Sequence, residues 1–245
     1  MNLDAWLDYI ANQHQQTIDM GLSRTEEMVR RMELRQPARR VVTVAGTNGK
    51  GSTITALESL LVKAGLRVFS TLSPHVVRFN ERLRLNGMEL SDDAICAAFA
   101  EIEQARQLNP VVALTYFEFA ALAALWCARQ NRVDVVLLEI GLGGRLDAFN
   151  VIDADIAVIT SIGIDHEKFL GNTREAIGAE KAGILRFGQR VVLGPDMPAS
   201  VLSRCRELNV QPLSAGDDFV VSEGSGPLLW TLSWGRDRLV NLPMG

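Results

Sequence analysis

Three things are in short supply in this chain of 245 residues: cysteines, an excess of charge of either sign, and long apolar runs. Each shortage removes a class of function. The cysteines, Cys96, Cys127 and Cys205, are odd in number, widely spaced and form no CxxC pair. They fit neither a disulfide framework nor a thiolate metal site, and read as reduced, half-buried thiols of a cytosolic protein. The formal net charge of −4 comes from 25 basic and 29 acidic residues, which gives no electrostatic case for nucleic acid or an anionic membrane. The densest basic cluster, Arg30, Arg31, Arg35, Arg39 and Arg40, reads as a solvated helix end and loop, with an anion site as the alternative. The longest apolar run, FAALAALWCA at 119–128, is about half of a bilayer span. It lies between Glu118 and Arg129, as a buried helix would. The opening MNLDAWLDYI has neither a basic start nor a continuous apolar stretch, so it does not read as a signal peptide. No repeat or low-complexity segment is visible. A soluble, cytoplasmic protein is expected.

What is present is an alternation of buried-type strands and helices. Residues 3–16 place Leu3, Trp6, Leu7 and Ile10 on one helical face, and Ser23 to Glu26 has the form of a capping box opening a second helix to about Leu34. β-Branched runs without alternation follow at 39–45, 66–73, 133–141, 154–163 and 189–194. Helices are expected at 50–65, 92–108, 115–130, 173–182 and 197–208. The first of these should turn Leu57, Leu60, Leu61 and Ala64 inward and end at Gly65. Asn86-Gly87 marks a hairpin turn. The pattern predicts an α/β fold, a mostly parallel sheet flanked by helices, with short antiparallel strands after about 215.

The stretch VVTVAGTNGKGST at 41–53 resembles a strand entering a phosphate-binding loop. Aligned on Gly49-Lys50, the pattern G-x-x-x-x-G-K-[ST] meets Val44 where it wants glycine and Gly51 where it wants a hydroxyl. Other strand ends carry Ser73, Glu139, and Asp165 with His166. In a parallel sheet these ends share one rim, where ligands bind. Backbone amides and Lys50 suit phosphate, and the oxygens of Ser73 and Glu139 suit Mg²⁺. Each has a plainer reading alone: an ordinary turn at 46–50, a turn serine before Pro74, a hydrogen-bonded loop histidine at 166. Glu139 is the sharpest of them, because an ionised carboxylate inside VVLLEIG is costly without a cation or donors. His75 reads as structural. GLGGRL at 141–146 is a poor dinucleotide fingerprint, since Leu146 takes the third glycine position, which argues against NAD or FAD.

Six segments, VAGTNGKGS, SPHVVRFNER, TYFEFAALAA, LEIGLGGRLDAFNV, TSIGIDHEKFLG and IGAEKAGI, together resemble the folylpolyglutamate synthases. They are most similar to the bacterial bifunctional dihydrofolate synthase/folylpolyglutamate synthases of the Mur ligase superfamily. The family's own loop is G-T-N-G-K-G-[ST]. The resemblance implies that Thr47, Asn48, Gly49 and Lys50 bind the phosphates of ATP. It implies Ser73 and Glu139 as ligands of one Mg²⁺, His166 as a ligand of a second, and Lys181 as a lysine carbamylated in this superfamily. Lys50, His166 and Lys181 then form the catalytic set. For the pterin substrate it implies Asp19, Met20, Gly21 and Leu22; Thr115, Tyr116, Phe117 and Glu118; and Leu146, Asp147 and Ala148. Core packing at a helix start explains Tyr116 and Phe117 equally, and Asp147 also suits a turn cap.

The reaction so implied is ATP-dependent amide formation between L-glutamate and either dihydropteroate or the glutamate tail of reduced folates, through an acyl phosphate, by a monomer acting on small molecules. The family also has a second, glutamate-binding C-terminal domain. Residues 1–245 read as its N-terminal ATPase and pteroate-binding domain alone, a fragment expected not to ligate glutamate by itself. A cell-wall Mur-type ligase and a P-loop regulatory module are the rival readings.

Overall fold

The computed structural model describes residues 1–13, 19–226 and 229–243. In chain order the elements are α1 (Leu3–Ala11), α2 (Ser23–Arg31), β1 (Arg40–Ala45), α3 (Lys50–Lys63), β2 (Val68–Thr71), β3 (Leu83–Leu85) and β4 (Met88–Glu89). Then come α4 (Asp92–Arg106), α5 (Tyr116–Gln130), β5 (Val135–Glu139), β6 (Ile156–Ile159), α6 (Glu167–Leu170), α7 (Arg174–Lys181), β7 (Arg190–Leu193) and α8 (Ala199–Glu207). β8 (Leu213–Ser214), β9 (Phe219–Glu223), β10 (Leu229–Trp234) and β11 (Asp237–Pro243) complete the chain. Short 3₁₀ turns at Phe79–Arg82, Ala148–Val151 and Ala182–Ile184 were not anticipated.

An eight-stranded sheet in the order β4-β3-β2-β5-β1-β6-β7-β8 forms the body. From β2 to β8 every neighbouring pair is parallel, whereas β3 runs antiparallel to both β2 and β4. Parallel neighbours put their carboxyl ends on one rim. Residues of β1 and β5 alternate between two layers, as a pleated strand requires. Val42, Val44, Val135 and Leu137 pack with Ile54 of α3, whereas Val41, Ala45, Val136 and Leu138 join the larger core with α1, α2, α4 and α5. The apolar run 119–128 lies inside α5, whose inner face is buried from Phe119 to Leu125. The Asn86-Gly87 turn is present, with φ of 52° and 81°. The antiparallel β9–β11 sheet forms as expected. The cysteines are unpaired thiols.

Some expectations are corrected. α1 ends at Ala11, and the rest of the stretch to 16 reaches residues outside those described. Ser23 does not cap α2: Leu22 already has helical angles, φ −99° and ψ −21°, so the helix begins at Ser23 with no side-chain cap. That helix stops at Arg31, short of Leu34, where Glu33 takes a positive φ and Leu34 N donates back to Val29 O. In α3, Leu60 is 65% exposed and Ala64 is exposed, while Ile54 and Glu58 are buried. The inward face follows Ile54, Leu57, Glu58 and Leu61 because Glu58 has partners inside. It accepts from Ser70 Oγ (2.7 Å) and Gly87 N (3.1 Å) and pairs with Arg84 (3.1 Å). No helix among the described residues is long and apolar enough to cross a membrane.

Candidate active site

The loop between β1 and α3 starts at Gly46, where a Cβ would collide with the Thr160 hydroxyl, so only glycine permits this approach. Gly49 is the N-cap of α3, and the amides of the first turn face the rim as a phosphate site requires. Lys50 Nζ donates to Gly46 O (3.0 Å) and Thr47 O (3.2 Å). The loop is gripped from behind by residues 160–163. Thr47 N donates to Ser161 O (2.8 Å), and Asn48 O accepts from Thr160 Oγ1 (2.6 Å). The Thr47 hydroxyl is joined to Gly163 in both directions, accepting from its N (2.9 Å) and donating to its O (3.2 Å). Lys181, buried at the end of α7, donates to the same Gly46 O at 3.0 Å. Burial first, and the Lys50 charge second, pull its pKa down to about 8 against the attraction of Asp165 and Asp147.

Glu139 ends β5 and is buried. Burial raises its pKa, opposed by the Ser73 amide, Lys50 and Arg82. Ser73 N donates to Glu139 Oε2 at 2.8 Å, which sets the serine and the carboxylate side by side. A Cβ on Gly51 would meet both Glu139 oxygens at 3.8 Å, so the carboxylate lies against the first turn of α3. Among the described residues no three His, Cys, Asp or Glu side chains form a metal cage. One carboxylate and one hydroxyl beside a phosphate loop suit Mg²⁺, which keeps waters and takes phosphate oxygens for its remaining positions. His166 is exposed at the start of α6 with φ 47°, and its Nε2 lies 3.7 Å from Asp165 Oδ2.

A cleft of about 390 Å³ opens beside this corner. Its walls bring together Lys50, Ser73 and His166 with Asp19, Met20 and Gly21, then Thr115, Phe117 and Glu118, then Leu146, Asp147 and Ala148. Glu118 is held by Arg24 Nε (3.0 Å) and by Thr115 N (2.8 Å), while Arg24 also pairs with Asp19 (2.7 Å). Asp147 is buried and accepts from Gly141 N (2.9 Å), Leu142 N (3.1 Å) and Phe149 N (3.0 Å), so the turn-capping reading and the cleft-wall reading both hold. Burial still raises its pKa, to about 6.

Residues 44–216 match the model of the Mur ligase middle domain. This chain belongs to the Mur ligase family. It is 46% identical over 243 residues to a dihydrofolate synthase/folylpolyglutamate synthase of Escherichia coli strain K12, covering 99% of this chain and 56% of that protein. A solved structure described as E. coli FolC in complex with DHPP and ADP has a TM-score of 0.94 at 46% identity and covers 99% of this chain and 58% of that one. A bifunctional folylpolyglutamate synthase/dihydrofolate synthase from Yersinia pestis, complexed with AMPPNP and Mn ion, has a TM-score of 0.92 at 45% identity, covering 99% and 58%. The chain spans little more than half the length of the relatives it matches.

In this Mur ligase domain not every residue singled out from sequence reaches the cleft. Leu22 is the N-cap of α2, and Tyr116 packs edge-on against Phe79, ring centroids 6.1 Å apart. Thr47, Asn48, Gly49, Glu139 and Lys181 form the adjoining loop and its floor rather than the cleft wall. The cleft also takes in residues that were overlooked: Pro74, Arg82, Gly141 and Leu142. Arg82 ends the segment SPHVVRFNER, but no periodicity or spacing distinguishes it from His75, Arg78 and Arg84 around it. Arg24, which braces Asp19 and Glu118, carries no signal beyond its place inside the apparent capping box.

Proposed function

We propose that this cleft activates a carboxylate substrate with ATP so that an amide bond to L-glutamate can form. The substrate is dihydropteroate in one reaction and the glutamate tail of a reduced folate in the other. The reading is carried by one observation: the phosphate loop, the Ser73–Glu139 corner and an apolar cleft adjoin at the carboxyl ends of the parallel strands. The relatives' names, and the ligands named with their structures, support the choice of substrates.

A carboxylate oxygen attacks the γ-phosphorus, the bond to the β,γ-bridging oxygen breaks, and ADP leaves with that electron pair. The glutamate amine then attacks the acyl carbon, the C–O bond to phosphate breaks, and the nitrogen gives up a proton. Lys50 and the first amides of α3 bind the transferring phosphate and offset its charge. Met20, Phe117, Leu142 and Leu146 give the cleft an apolar lining that limits the access of water to the bound substrate. Ser73 and Glu139 would hold one Mg²⁺ and His166 a second, and such ions, when bound, neutralise the two anions that must meet. Lys181 is the residue for carbamylation: its pKa near 8 leaves an appreciable neutral fraction able to add carbon dioxide. The protein is read as a cytoplasmic monomer acting on small molecules, with no nucleic-acid or membrane partner.

Calorimetric titration tests this. Mg²⁺ with a non-hydrolysable ATP analogue should bind, and dihydropteroate should bind to the loaded protein. Glu139→Gln should weaken the Mg²⁺-dependent part of nucleotide binding about tenfold, since it removes the only anionic ligand of that corner. A UDP-linked muramoyl precursor binding in place of dihydropteroate would overturn the folate assignment. Unchanged Mg²⁺ dependence in Glu139→Gln would overturn the metal assignment.

A further inference from the structure

Arg82 enters the cleft from the end of the 3₁₀ turn Phe79–Arg82, beside the Ser73–Glu139 corner. Its Nε donates to His75 Nδ1 at 2.8 Å, and its guanidinium carbon lies 5.8 Å from the Phe79 ring centroid and 5.9 Å from that of Tyr116. Two aromatic faces and one imidazole thus fix the plane of the fork. The carboxylates nearby are committed elsewhere. Glu81 accepts from the amides of Val76, Val77 and Arg78, each at 2.7 Å, and Glu139 accepts from Ser73 N. Among the described residues, no carboxylate forms an ion pair with Arg82 and neither of its terminal nitrogens meets a protein acceptor. A half-buried guanidinium without a counter-ion is costly, and its two terminal nitrogens match the two oxygens of a carboxylate.

We propose that Arg82 is the carboxylate receptor of the cleft. Its terminal nitrogens take the carboxylate of the pteroate-class substrate. His75, accepting from Nε, is the positioning residue that keeps the fork turned toward it. This rests on reading the cleft as a pteroate site. It places the reacting carboxylate between Arg82 and the phosphate loop, with the pterin end lying along Met20, Phe117 and Leu146. It also gives His75, which sequence alone marked as structural, a task in substrate orientation.

The test compares dihydropteroate with the same molecule lacking its carboxyl group, titrated into the wild type and into Arg82→Gln, His75→Phe and His75→Asn. The wild type should prefer the carboxylate by roughly tenfold or more, the value of a charge-assisted hydrogen-bonded pair. In Arg82→Gln that preference should fall to about twofold or less, with the decarboxylated compound bound as before, which also shows that the cleft is intact. His75→Phe should lower the preference, and His75→Asn, which restores an acceptor, should recover part of it. A merely structural histidine would instead weaken both compounds alike. Equal binding of the two compounds to the wild type overturns the proposal whatever the variants do. So does an undiminished preference in Arg82→Gln, and in either case the pteroate reading survives. Failure of both compounds to bind the wild type removes the pteroate reading and the proposal with it.

Discussion

Two lysine ammonium groups share the carbonyl oxygen of Gly46, Lys50 from the front of the phosphate loop and Lys181 from beneath it. Lys181 is the buried one, and its desolvation lowers its pKa to about 8 from 10.5. A base whose folded pKa is depressed binds fewer protons folded than unfolded between those two values. Unfolding free energy therefore rises with pH across that window. Measured by urea unfolding in carbonate-free buffer, the wild type should gain up to about 3 kcal/mol relative to Lys181→Met between pH 8 and pH 10.5. A difference that stays flat with pH would mean the amine is not desolvated. Addition of ¹³C-labelled bicarbonate near pH 8 should then produce a carbamate carbon resonance that Lys181→Met lacks. The sequence marked Lys181 only through resemblance, because nothing local distinguishes EKAGI from a surface helix end. What buries the lysine is α7 lying against the β1–α3 loop, a contact across 135 positions of chain.

At the scale of elements, the same four-residue signature occurs twice with opposite outcomes. Ser23 to Glu26 and Thr115 to Glu118 both match the capping box, yet only Thr115 is a cap. Thr115 Oγ1 accepts from Glu118 N (3.2 Å) while Glu118 accepts from Thr115 N (2.8 Å). At α2, Arg24 reaches Asp19 and Glu118, and Leu22 is drawn into helical angles, which leaves Ser23 exposed inside the first turn. Thr115→Ala should therefore cost about 1–2 kcal/mol by chemical denaturation, since a buried amide loses its acceptor. Ser23→Ala should stay within about 0.5 kcal/mol. Equal losses at the two sites would contradict this. The inward face of α3 was misread for a related reason. Glu58 counts as polar in any periodicity, and its burial depends on Ser70 and the β3–β4 hairpin, neither visible in the helix's own sequence. Strands, helices and the Asn86-Gly87 turn were legible because local chemistry decides them; caps and charged inward residues were not, because partners far along the chain do.

For the whole molecule, strand order is what sequence withheld: β1 lies between β5 and β6, and β2 beyond β5, so residues 47, 73, 139 and 166 meet on one rim through crossovers no local pattern specifies. The expectation that strand ends converge came from the parallel-sheet rule, and the cleft beside the rim is the form that convergence takes. The division of the chain was more readable. The texture changes near 215, the family match ends at 216, and among the described residues no buried core residue lies beyond Val210. β9, β10 and β11 bond to one another in a separate three-stranded sheet, which meets the body at a turn where Ala215 bridges Phe219 and Ser214 N donates to Asp218 Oδ2. With almost all the apolar burial in the larger body, that body should carry its own stability. Ending the chain after Gly216 should leave a protein whose unfolding midpoint shifts by no more than about 4 °C, corresponding to roughly 1 kcal/mol or less. Nucleotide and dihydropteroate titrations of the shortened chain should match those of the intact one, because among the described residues no cleft-lining residue lies past His166. A shortened chain that unfolds cooperatively at a much lower temperature would show instead that the small sheet is an integral part of the fold.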